Sequence, residues 1–260
     1  MLSLKSPREI KLMRQAGRIT AKTLLLVQSL IQPGVTTKFL EEEAEKYIRS
    51  QKAIPAFKGY RGFPACICAS INEEIVHGIP SKRKLCEGDI ISVDIGVRYE
   101  GYIGDSAKTF AVGKVSKAAQ NLLNVCEESL RLGIQAAKPG SRVSDIARAI
   151  QTYVEKNGYS VVRDYTGHGI GTEMHEDPQV PNYVGKDWLD FDMVLKSGHC
   201  IAIEPMVNMG TYRTKTIRRE GWDVVLTKDN KWSAHFEHSV ALSENGPIIL
   251  TSPEDDNENT

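Results

Sequence analysis

Apolar residues recur at intervals of three and four in four segments of the chain, which is the spacing of amphipathic helices. The first segment follows Ser6-Pro7-Arg8-Glu9, a capping box with proline at the first helical position, and it ends before Pro33-Gly34. The other three segments open near Thr37, at Ser116 and near Ser144. The pattern therefore predicts four helices, in two pairs of a long and a shorter helix.

Apolar and β-branched residues also alternate through "SVDIGVRYEGYIGDSAKTF" (Ser92–Phe110), which predicts a β-hairpin. A turn centred on the pair Tyr99-Glu100, relaxed by Gly101, would place Asp94 directly opposite Asp105. Opposed residues have Cβ atoms about 5 Å apart, where like charges repel. Such carboxylates need a shared proton or a cation. The alternative is a shifted register that leaves both side chains in solvent.

Two stretches of the first half have counterparts in the second half. "HGIP" (residues 77–80) resembles "HEDP" (175–178), and "LCEGDIISVD" (85–94) resembles "LKSGHCIAIE" (195–204). The helix pattern repeats in the same order. We infer an internal duplication, in which two α+β halves face each other across a pseudo-twofold axis.

The duplication predicts one catalytic or binding domain over residues 1–252, with halves at about 6–110 and 116–250. A cleft at the interface of two such halves is the expected place for a ligand site. The acidic tail, residues 253–260, is predicted to be disordered.

Composition narrows the choice of partners and compartment. The 260 residues include 33 basic and 33 acidic side chains, so the formal net charge is zero. The overall charge therefore does not favour nucleic acid or an anionic membrane as the main partner. No apolar run approaches the ~20 residues needed to span a bilayer, and the first residues are too short and polar for a signal peptide. The cysteine count is odd, with five residues and no C-x-x-C pair, which favours a reducing compartment. We expect a cytoplasmic protein that does not bind membranes.

The second half supplies further groups that can bind metals. Glu204 ends an apolar strand, Glu237 lies in the strand-like stretch "SAHFEHSVAL", and His168 lies among glycines in "YTGHGIG". Together with Asp94 and Asp105 they form a set of four carboxylates and one imidazole. That set suits a pair of divalent ions such as Mn, Fe, Co or Zn. In dinuclear sites a shared water becomes a nucleophile at neutral pH.

Three other histidines have competing interpretations. His235 lies on the same face as Glu237 if the strand is regular, so it is a rival metal ligand. His238 would point to the opposite face and form a structural hydrogen bond. His199 lies at a strand entry, where we expect it at the surface.

Six motifs together give the chain a resemblance to a known family. They are "NEEIVHGIP", "VDIGVRYEGYIGDSAKTF", "TGHGIG", "MHEDPQVPNY", "AIEPMV" and "FEHSVAL". In these motifs the chain resembles the type I methionine aminopeptidases of metallopeptidase family M24, from about Ser6 to Leu250. The resemblance implies the pita-bread fold, an α+β architecture with a curved antiparallel sheet flanked by helices. It also implies removal of the initiator methionine from nascent proteins when the second residue is small.

The resemblance also implies a role for each ligand. Asp94 would bind one metal ion, Asp105 and Glu237 would bridge both, and His168 and Glu204 would hold the second. A hydroxide activated by the two metals would attack the peptide carbonyl.

Three side chains would assist the reaction. Glu204 would pass a proton to the leaving amine. His175 would stabilise charge on the tetrahedral oxygen or the scissile amide. His77 would contact the peptide just beyond the cut.

The family further implies a slot for the methionine side chain. Aromatic rings, a thiol and a thioether suit an unbranched sulfur side chain; here they are Tyr60, Phe63, Cys68, Met174 and Trp222. Phe57 stands where relatives carry a smaller residue, and Met174 replaces a phenylalanine of some relatives. A structural monovalent cation, sodium or potassium, is implied near Asn72, Glu74 and Ser233.

Two rival functions remain at this stage. An Xaa-Pro peptidase would share the fold, although those relatives usually carry a large N-terminal domain. A non-catalytic pita-bread binding protein would lack one or more ligands, whereas all five are present. The expected partners are the N-termini of nascent polypeptides, with a transient ribosome contact, and we expect a monomer.

Overall fold

The four predicted helices are present in the structure. The computed structural model of the chain describes residues 4–185 and 192–254, so most of the predicted acidic tail lies outside the described residues. Each helix begins within one residue of its predicted start: α1 Pro7–Leu30, α2 Thr37–Ser50, α3 Lys117–Ala136 and α4 Val143–Lys156. A short 3₁₀ turn covers Tyr60–Gly62.

Side-chain caps explain where two of these helices begin. The Ser6 backbone N–H donates to the Glu9 carboxylate at 2.8 Å, and the Ser6 hydroxyl accepts from the Glu9 backbone N–H. The Ser116 hydroxyl accepts from the Ala119 N–H at 3.1 Å in α3. These bonds satisfy donors that a helix N-terminus otherwise leaves free. The capping patterns of the sequence are therefore confirmed.

Fifteen strands form four sheets in the part of the chain that the structure describes, and every named strand pair is antiparallel. The first half contributes β1 Ile54–Pro55, β2 Cys68–Ile71, β3 Glu74–Val76, β4 Ile90–Tyr99 and β5 Tyr102–Ala111. The second half contributes β6 Ser160–Val161, β7 Gly167–Gly169, β8 Glu176–Val180, β9 Cys200–Ile203, β10 Met206–Asn208, β11 Thr214–Arg219, β12 Trp222–Thr227, β13 Ser233–His235, β14 His238–Ser243 and β15 Gly246–Ile249.

The β4–β5 hairpin forms, but its predicted register was wrong. The turn is centred one residue later than predicted, on Glu100-Gly101, and both residues have positive φ, 51° and 87°. A two-residue turn of this kind needs left-handed backbone at both central positions. Asp94 therefore pairs with Ala107, and Asp105 pairs with Gly96.

The corrected register keeps the two aspartates on one face. The pairing moved by two residues, and side chains alternate between faces with a period of two. Asp94 and Asp105 are thus diagonal neighbours, which are still within reach of each other across two strands. The alternative of two solvated aspartates does not apply, since Asp105 is buried and Asp94 is partly buried.

The two halves repeat a hydrogen-bond pattern where helix pairs meet strands. The Gly34 N–H donates to the Leu85 carbonyl at 2.8 Å, and the Gly140 N–H donates to the Leu195 carbonyl at 2.9 Å. Each helix pair covers its own apolar cluster. These repeats match the internal duplication seen in the sequence, while the exact domain bounds stay a prediction.

The halves meet where β5 runs beside residues 235–239. The Ser106 hydroxyl donates to the Glu237 carbonyl at 2.6 Å, and the Glu237 N–H donates to the Ala107 carbonyl at 2.8 Å. The Asp105 N–H donates to the Ser239 hydroxyl at 3.0 Å. This seam fixes Asp105 and Glu237 beside each other.

The sequence predicts Glu237 within a strand, but in the structure Glu237 does not lie in a regular strand. It occupies the break between β13, which ends at His235, and β14, which begins at His238. At this break, hydrogen bonds to β5 replace the backbone hydrogen bonds of a regular strand pair. Consequently the period-2 rule does not decide which way Glu237 points.

None of the described helices is long and apolar enough to cross a membrane.

Candidate metal centre

The five predicted metal ligands line one cavity of about 280 Å³ between the halves. The first half supplies Asp94 from β4 and Asp105 from β5. The second half supplies His168 from β7, Glu204 from the end of β9, and Glu237 from the break before β14. Residues far apart in sequence are thus brought together by the pairing of the two halves.

The distances within this group are those of a ligand set. One ligand atom each from Asp105, His168 and Glu237 lie within 4.8 Å of one another. His168 Nε2 lies 3.6 Å from Glu204 Oε1 and 3.9 Å from Asp105 Oδ2. A cation among these atoms would contact both halves of the molecule.

A single hydrogen bond sets the tautomer of His168. Its Nδ1 lies 2.9 Å from the carbonyl oxygen of Gly169, which can only accept. Nδ1 therefore carries the proton, and the lone pair of Nε2 faces Glu204 and Asp105. Burial lowers the pKa of His168 to about 3, so the ring is neutral, as a metal ligand must be.

Several buried oxygens of the group have no hydrogen bond from any described residue. They are Oδ1 of Asp94, Oδ1 of Asp105 and Oε1 of Glu237. Buried polar atoms are almost always partnered, and leaving one without a partner costs about 1–3 kcal/mol. Divalent cations would partner these oxygens, so the residues present fit a metal site.

The protonation equilibria support the same conclusion. Burial raises the pKa of Asp94 to about 7 and that of Glu204 to about 8. Burial, with the charge of neighbouring carboxylates, also holds the pKa of Asp105 and of Glu237 well above the ordinary range. Four carboxylates this close cannot all ionise at neutral pH without compensating positive charge.

His235 also reaches this site. Its Nε2 lies 3.5 Å from Glu204 Oε2 and has no hydrogen-bond partner among the described residues. The side chain is buried, and burial lowers the pKa of its ring. His235 therefore remains a rival or additional ligand on geometry.

His77 and His175 line the same cavity as the carboxylates. The rings of His175 and His168 have centroids 4.3 Å apart, and the Tyr60 hydroxyl lies 2.8 Å from His175 Nδ1. Burial lowers the pKa of His77 to about 4 and also lowers that of His175. Both imidazoles are thus held neutral beside the carboxylates.

The residues predicted for the methionine slot all line this cavity: Tyr60, Phe63, Cys68, Met174 and Trp222. The rings of Phe63 and Trp222 meet edge to face with centroids 5.2 Å apart. Phe57 joins them, with its ring 6.4 Å from that of Phe63.

Gly96 makes room for Phe57 and Met174 at the slot. A Cβ at this position would lie 2.6 Å from Phe57 Cε1 and 2.8 Å from the Met174 methyl. Contacts this short do not occur between carbon atoms. Phe57 and the flexible Met174 thus pack together over a glycine, which sequence reasoning did not identify.

Five further residues line the cavity that sequence reasoning missed: Arg61, Val76, Tyr165, Thr166 and Met206. Tyr165 packs edge to face on His77, with centroids 5.6 Å apart. Tyr165 and Thr166 lie in the stretch "YTGHGIG" that carries His168, so their place in that stretch was the available signal.

The remaining histidine predictions have mixed outcomes. His238 Nδ1 lies 2.8 Å from the Thr251 hydroxyl, so its structural role is confirmed. The prediction that His199 lies at the surface was wrong, because the side chain is buried and Nδ1 accepts from the Lys196 N–H at 3.1 Å.

Of the three residues implied for a monovalent cation, Asn72 and Ser233 are in contact. The Ser233 N–H donates to the Asn72 carbonyl at 2.9 Å. Glu74, however, is already paired with Arg219 and Arg83. The monovalent site stays a prediction.

Comparison with known proteins identifies the family. Residues 11–244 match metallopeptidase family M24. The chain belongs to metallopeptidase family M24. It is 53% identical over 251 residues to methionine aminopeptidase 1 of Bacillus subtilis, covering 96% of this chain and 99% of that protein. It is also 53% identical over 252 residues to the methionine aminopeptidase of Clostridium acetobutylicum, covering 96% and 99%.

Solved structures of the family confirm the fold. The methionine aminopeptidase of Rickettsia prowazekii superposes with a TM-score of 0.92 at 39% identity, covering 97% of this chain and all of that one. The prolidase of Pyrococcus furiosus gives 0.75 at 22% identity and shares the fold, with 97% of this chain matching 66% of that one. The predicted α+β pita-bread architecture with two pseudo-symmetric halves is therefore confirmed. Family membership also implies the use of divalent metal.

Proposed function

We propose that this M24 metallopeptidase removes the N-terminal methionine from proteins whose second residue is small. The observation that carries the proposal is that one cavity joins a metal-ligand set to an apolar slot lined by Met174 and aromatic rings. The relatives from Bacillus subtilis and Clostridium acetobutylicum, named as methionine aminopeptidases, support the same activity.

We further propose that the site holds two divalent ions, of Mn, Fe, Co or Zn. The residues that would hold them are Asp94, Asp105, His168, Glu204 and Glu237. When bound, the ions would supply Lewis acidity to the scissile carbonyl and lower the pKa of the attacking water. The oxygens of this group that lack hydrogen bonds support the assignment.

Glu204 is placed to move a proton during the reaction. Its carboxylate lies inside the cavity, with Oε1 3.6 Å from His168 Nε2, and a carboxylate beside the reacting atoms can act as a general acid–base. The carboxyl group would take a proton from the attacking water and give it to the leaving amine. His235 Nε2, 3.5 Å away, would help to orient this carboxyl group.

The neutral imidazoles of His77 and His175 would act on the substrate amide. The Tyr60 hydroxyl beside Nδ1 of His175 fixes the orientation of that ring. The other ring nitrogen, Nε2, would then be free to hydrogen-bond to the scissile amide or its oxygen as charge develops there. His77, which packs on Tyr165 and Trp222, would contact the peptide beyond the cut.

The preference for a small second residue would come from the walls beyond the cut. The rings of His77 and Tyr165 pack against each other at the cavity wall, and bulky side chains would have to displace them. The free amino group of the substrate would lie toward the carboxylates, which favour a cation. Such a site would not accept a peptide bond in the interior of a chain, because the residue before that bond has no free amino group.

The partners that this activity requires are the N-termini of nascent polypeptides. We propose a monomer that acts in the cytoplasm and contacts ribosomes transiently. The five cysteines are free thiols, in keeping with a reducing compartment.

A three-peptide assay with the manganese-reconstituted protein tests the proposal. We expect methionine to be released from Met-Ala-Ser, with at least about 100-fold less from Met-Leu-Ser and no cleavage of Ala-Pro-Ser. Preferential cleavage of Ala-Pro-Ser would instead support an Xaa-Pro peptidase. Absence of all cleavage, with metal bound, would support a non-catalytic binding protein.

A further inference from the structure

Lys5, in the segment before α1, has a buried charged side chain that the proposed reaction does not use. Its side chain is 5% exposed, and its Nζ lies 2.7 Å from Glu176 Oε2. Lysine is almost never this buried unless it is paired. The partner is separated from it by 171 positions in the sequence.

Glu176 directly follows Met174, which lines the slot, and His175, whose ring centroid lies 4.3 Å from that of His168. Its second oxygen, Oε1, accepts from the Glu173 N–H at 3.2 Å, which closes the turn that carries both residues. One carboxylate thus holds the turn with one oxygen and the N-terminal segment with the other.

The pair also packs directly on Gly171, at the start of the same turn. A Cβ on Gly171 would lie 2.4 Å from Glu176 Oε1 and 2.6 Å from Lys5 Nζ, so only glycine leaves room for the ion pair. The Gly171 carbonyl in turn accepts from the Ile103 N–H of β5 at 2.9 Å. The ion pair is therefore enclosed between the turn and the hairpin that carries Asp105.

The backbone of Lys5 is fixed as firmly as its side chain. Its N–H donates to the Gly198 carbonyl at 2.7 Å, just before β9. The next residue is Ser6, the N-cap of α1. Lys5 thus joins α1, the strand that leads to Glu204, and the turn that carries His175.

We propose that Lys5 is a positioning residue, which holds the 171–176 turn so that His175 and Met174 face the substrate. This inference rests on the proposed function for its kinetic test. A displacement of about 1 Å in a group that acts on the reacting atoms can lower the rate about 100-fold. Loss of the Lys5 charge also leaves Glu176 without its partner, which frees the turn to move.

The kinetic test compares Lys5→Met, Lys5→Arg and a control of similar chemistry. Lys38 pairs at 2.5 Å with Glu41, a buried glutamate on α2, and neither residue lines the cavity. Lys38→Met therefore removes a lysine–glutamate ion pair from another part of the molecule, where the lysine is half exposed. All variants are assayed well below their unfolding temperatures with Met-Ala-Ser.

We expect Lys5→Met to lower kcat about 10- to 100-fold, and Lys5→Arg to recover kcat to within about 5-fold of the parent. Lys38→Met should keep kcat within about 2-fold. A kcat for Lys5→Met within 2-fold of the parent would overturn the inference, and so would an equal loss in Lys38→Met.

Amide hydrogen exchange supplies a readout that is independent of activity. Exchange across residues 171–176 should be at least about 10-fold faster in Lys5→Met than in the parent, and unchanged in Lys38→Met. Glu176→Gln keeps one acceptor oxygen, which can still accept from the Glu173 N–H, while its amide N–H₂ cannot accept from Lys5 Nζ. The increase in Glu176→Gln should therefore be no larger than that in Lys5→Met. If the parent protein releases no methionine, the proposed function fails, while local exchange still decides the role of Lys5. Unchanged exchange in Lys5→Met would overturn it.

Discussion

At the scale of single residues, shape complementarity decides how the slot is built. Phe57 and Met174 both rest over Gly96, where a Cβ would lie within 2.8 Å of each. Gly96 is also the strand partner of Asp105, so the slot and the metal centre share one short stretch of hairpin. A change at this glycine should therefore affect substrate binding more than it affects the metal ligands.

Gly96→Ala tests this packing. The added methyl must push the Phe57 ring or the Met174 methyl into the slot, since overpacking of this kind costs about 1–3 kcal/mol. We expect KM for Met-Ala-Ser to rise about 10-fold, with kcat changed by less than about 3-fold. Steady-state kinetics measures both constants.

A second substitution serves as the control for Gly96→Ala. Phe57→Val removes the ring that the new methyl meets, so Gly96→Ala combined with Phe57→Val should recover most of the lost affinity. Additive effects of the two changes would show that Gly96 does not act through this ring.

At the scale of elements, turn geometry sets the register of the hairpin that carries the aspartates. Glu100 adopts φ 51°, which a glutamate takes only with strain, and the following Gly101 adopts φ 87°. Asn-Gly is the pair that such a turn prefers. The hairpin thus forms with one unfavourable residue at its tip.

Glu100→Asn should stabilise the protein by about 0.5 kcal/mol, because asparagine tolerates the left-handed conformation better. Gly101→Ala should destabilise the protein by about 1 kcal/mol, because the Cβ of alanine makes the positive φ at this position unfavourable. Urea unfolding of the metal-free protein measures both. Equal stability of the two variants would contradict the assigned turn.

The same hairpin shows how far the sequence predicted the fold. Caps and Pro-Gly signals are local, so all four helix starts were predicted to within a residue. The turn was placed one residue early, because a positive φ at Glu100 depends on strand twist and not on the preference of glutamate. The face of both aspartates was still correct, since the error in pairing was an even number of residues.

The sequence predicted which residues form the candidate site better than it predicted their geometry. The five ligands were identified from motifs, and the structure places them in one cavity. The break in the strand at Glu237 was missed because its hydrogen bonds go to β5, which is distant in sequence. Lys5 and Gly96 were missed for the same reason: each contacts residues that only the fold brings near.

At the scale of the whole molecule, the two halves are joined through a group of carboxylates that resists ionisation. Asp94 and Asp105 come from one half, and Glu204 and Glu237 come from the other. Metal ions would therefore contribute to the stability of the folded chain as well as to its chemistry.

Removal of metal should make the stability fall as pH rises. In the metal-free folded chain the pKa of Asp94 is about 7 and that of Glu204 is about 8, whereas both are about 4 when unfolded. The folded state thus binds more protons between pH 4 and 8. The stability that these carboxylates contribute is lost as pH rises through 7 and 8. The buried histidines, whose pKa is lowered, bind fewer protons when folded and reduce the stability below about pH 6, so the net fall is expected between pH 6 and pH 8.

Thermal unfolding at pH 6 and pH 8 measures this dependence. With chelator present, the midpoint should be about 5 °C or more lower at pH 8, since a kcal/mol corresponds to about 2–4 °C for a protein of this size. With manganese the difference should be small or reversed, because metal binding releases these protons. A metal-free protein that is more stable at pH 8 than at pH 6 would contradict the pKa shifts.

Anomalous diffraction at the manganese edge, from crystals soaked in manganese, tests the convergence of both halves on a dinuclear centre most directly. We predict two peaks about 3.5–4 Å apart, both in contact with Asp105 and Glu237. Crystals of Asp105→Asn should show one peak or none, and Asp229→Asn, at an exposed turn, should keep both. No peak among the five side chains, or peaks only at other acidic groups such as Glu41 and Glu45, would contradict the account.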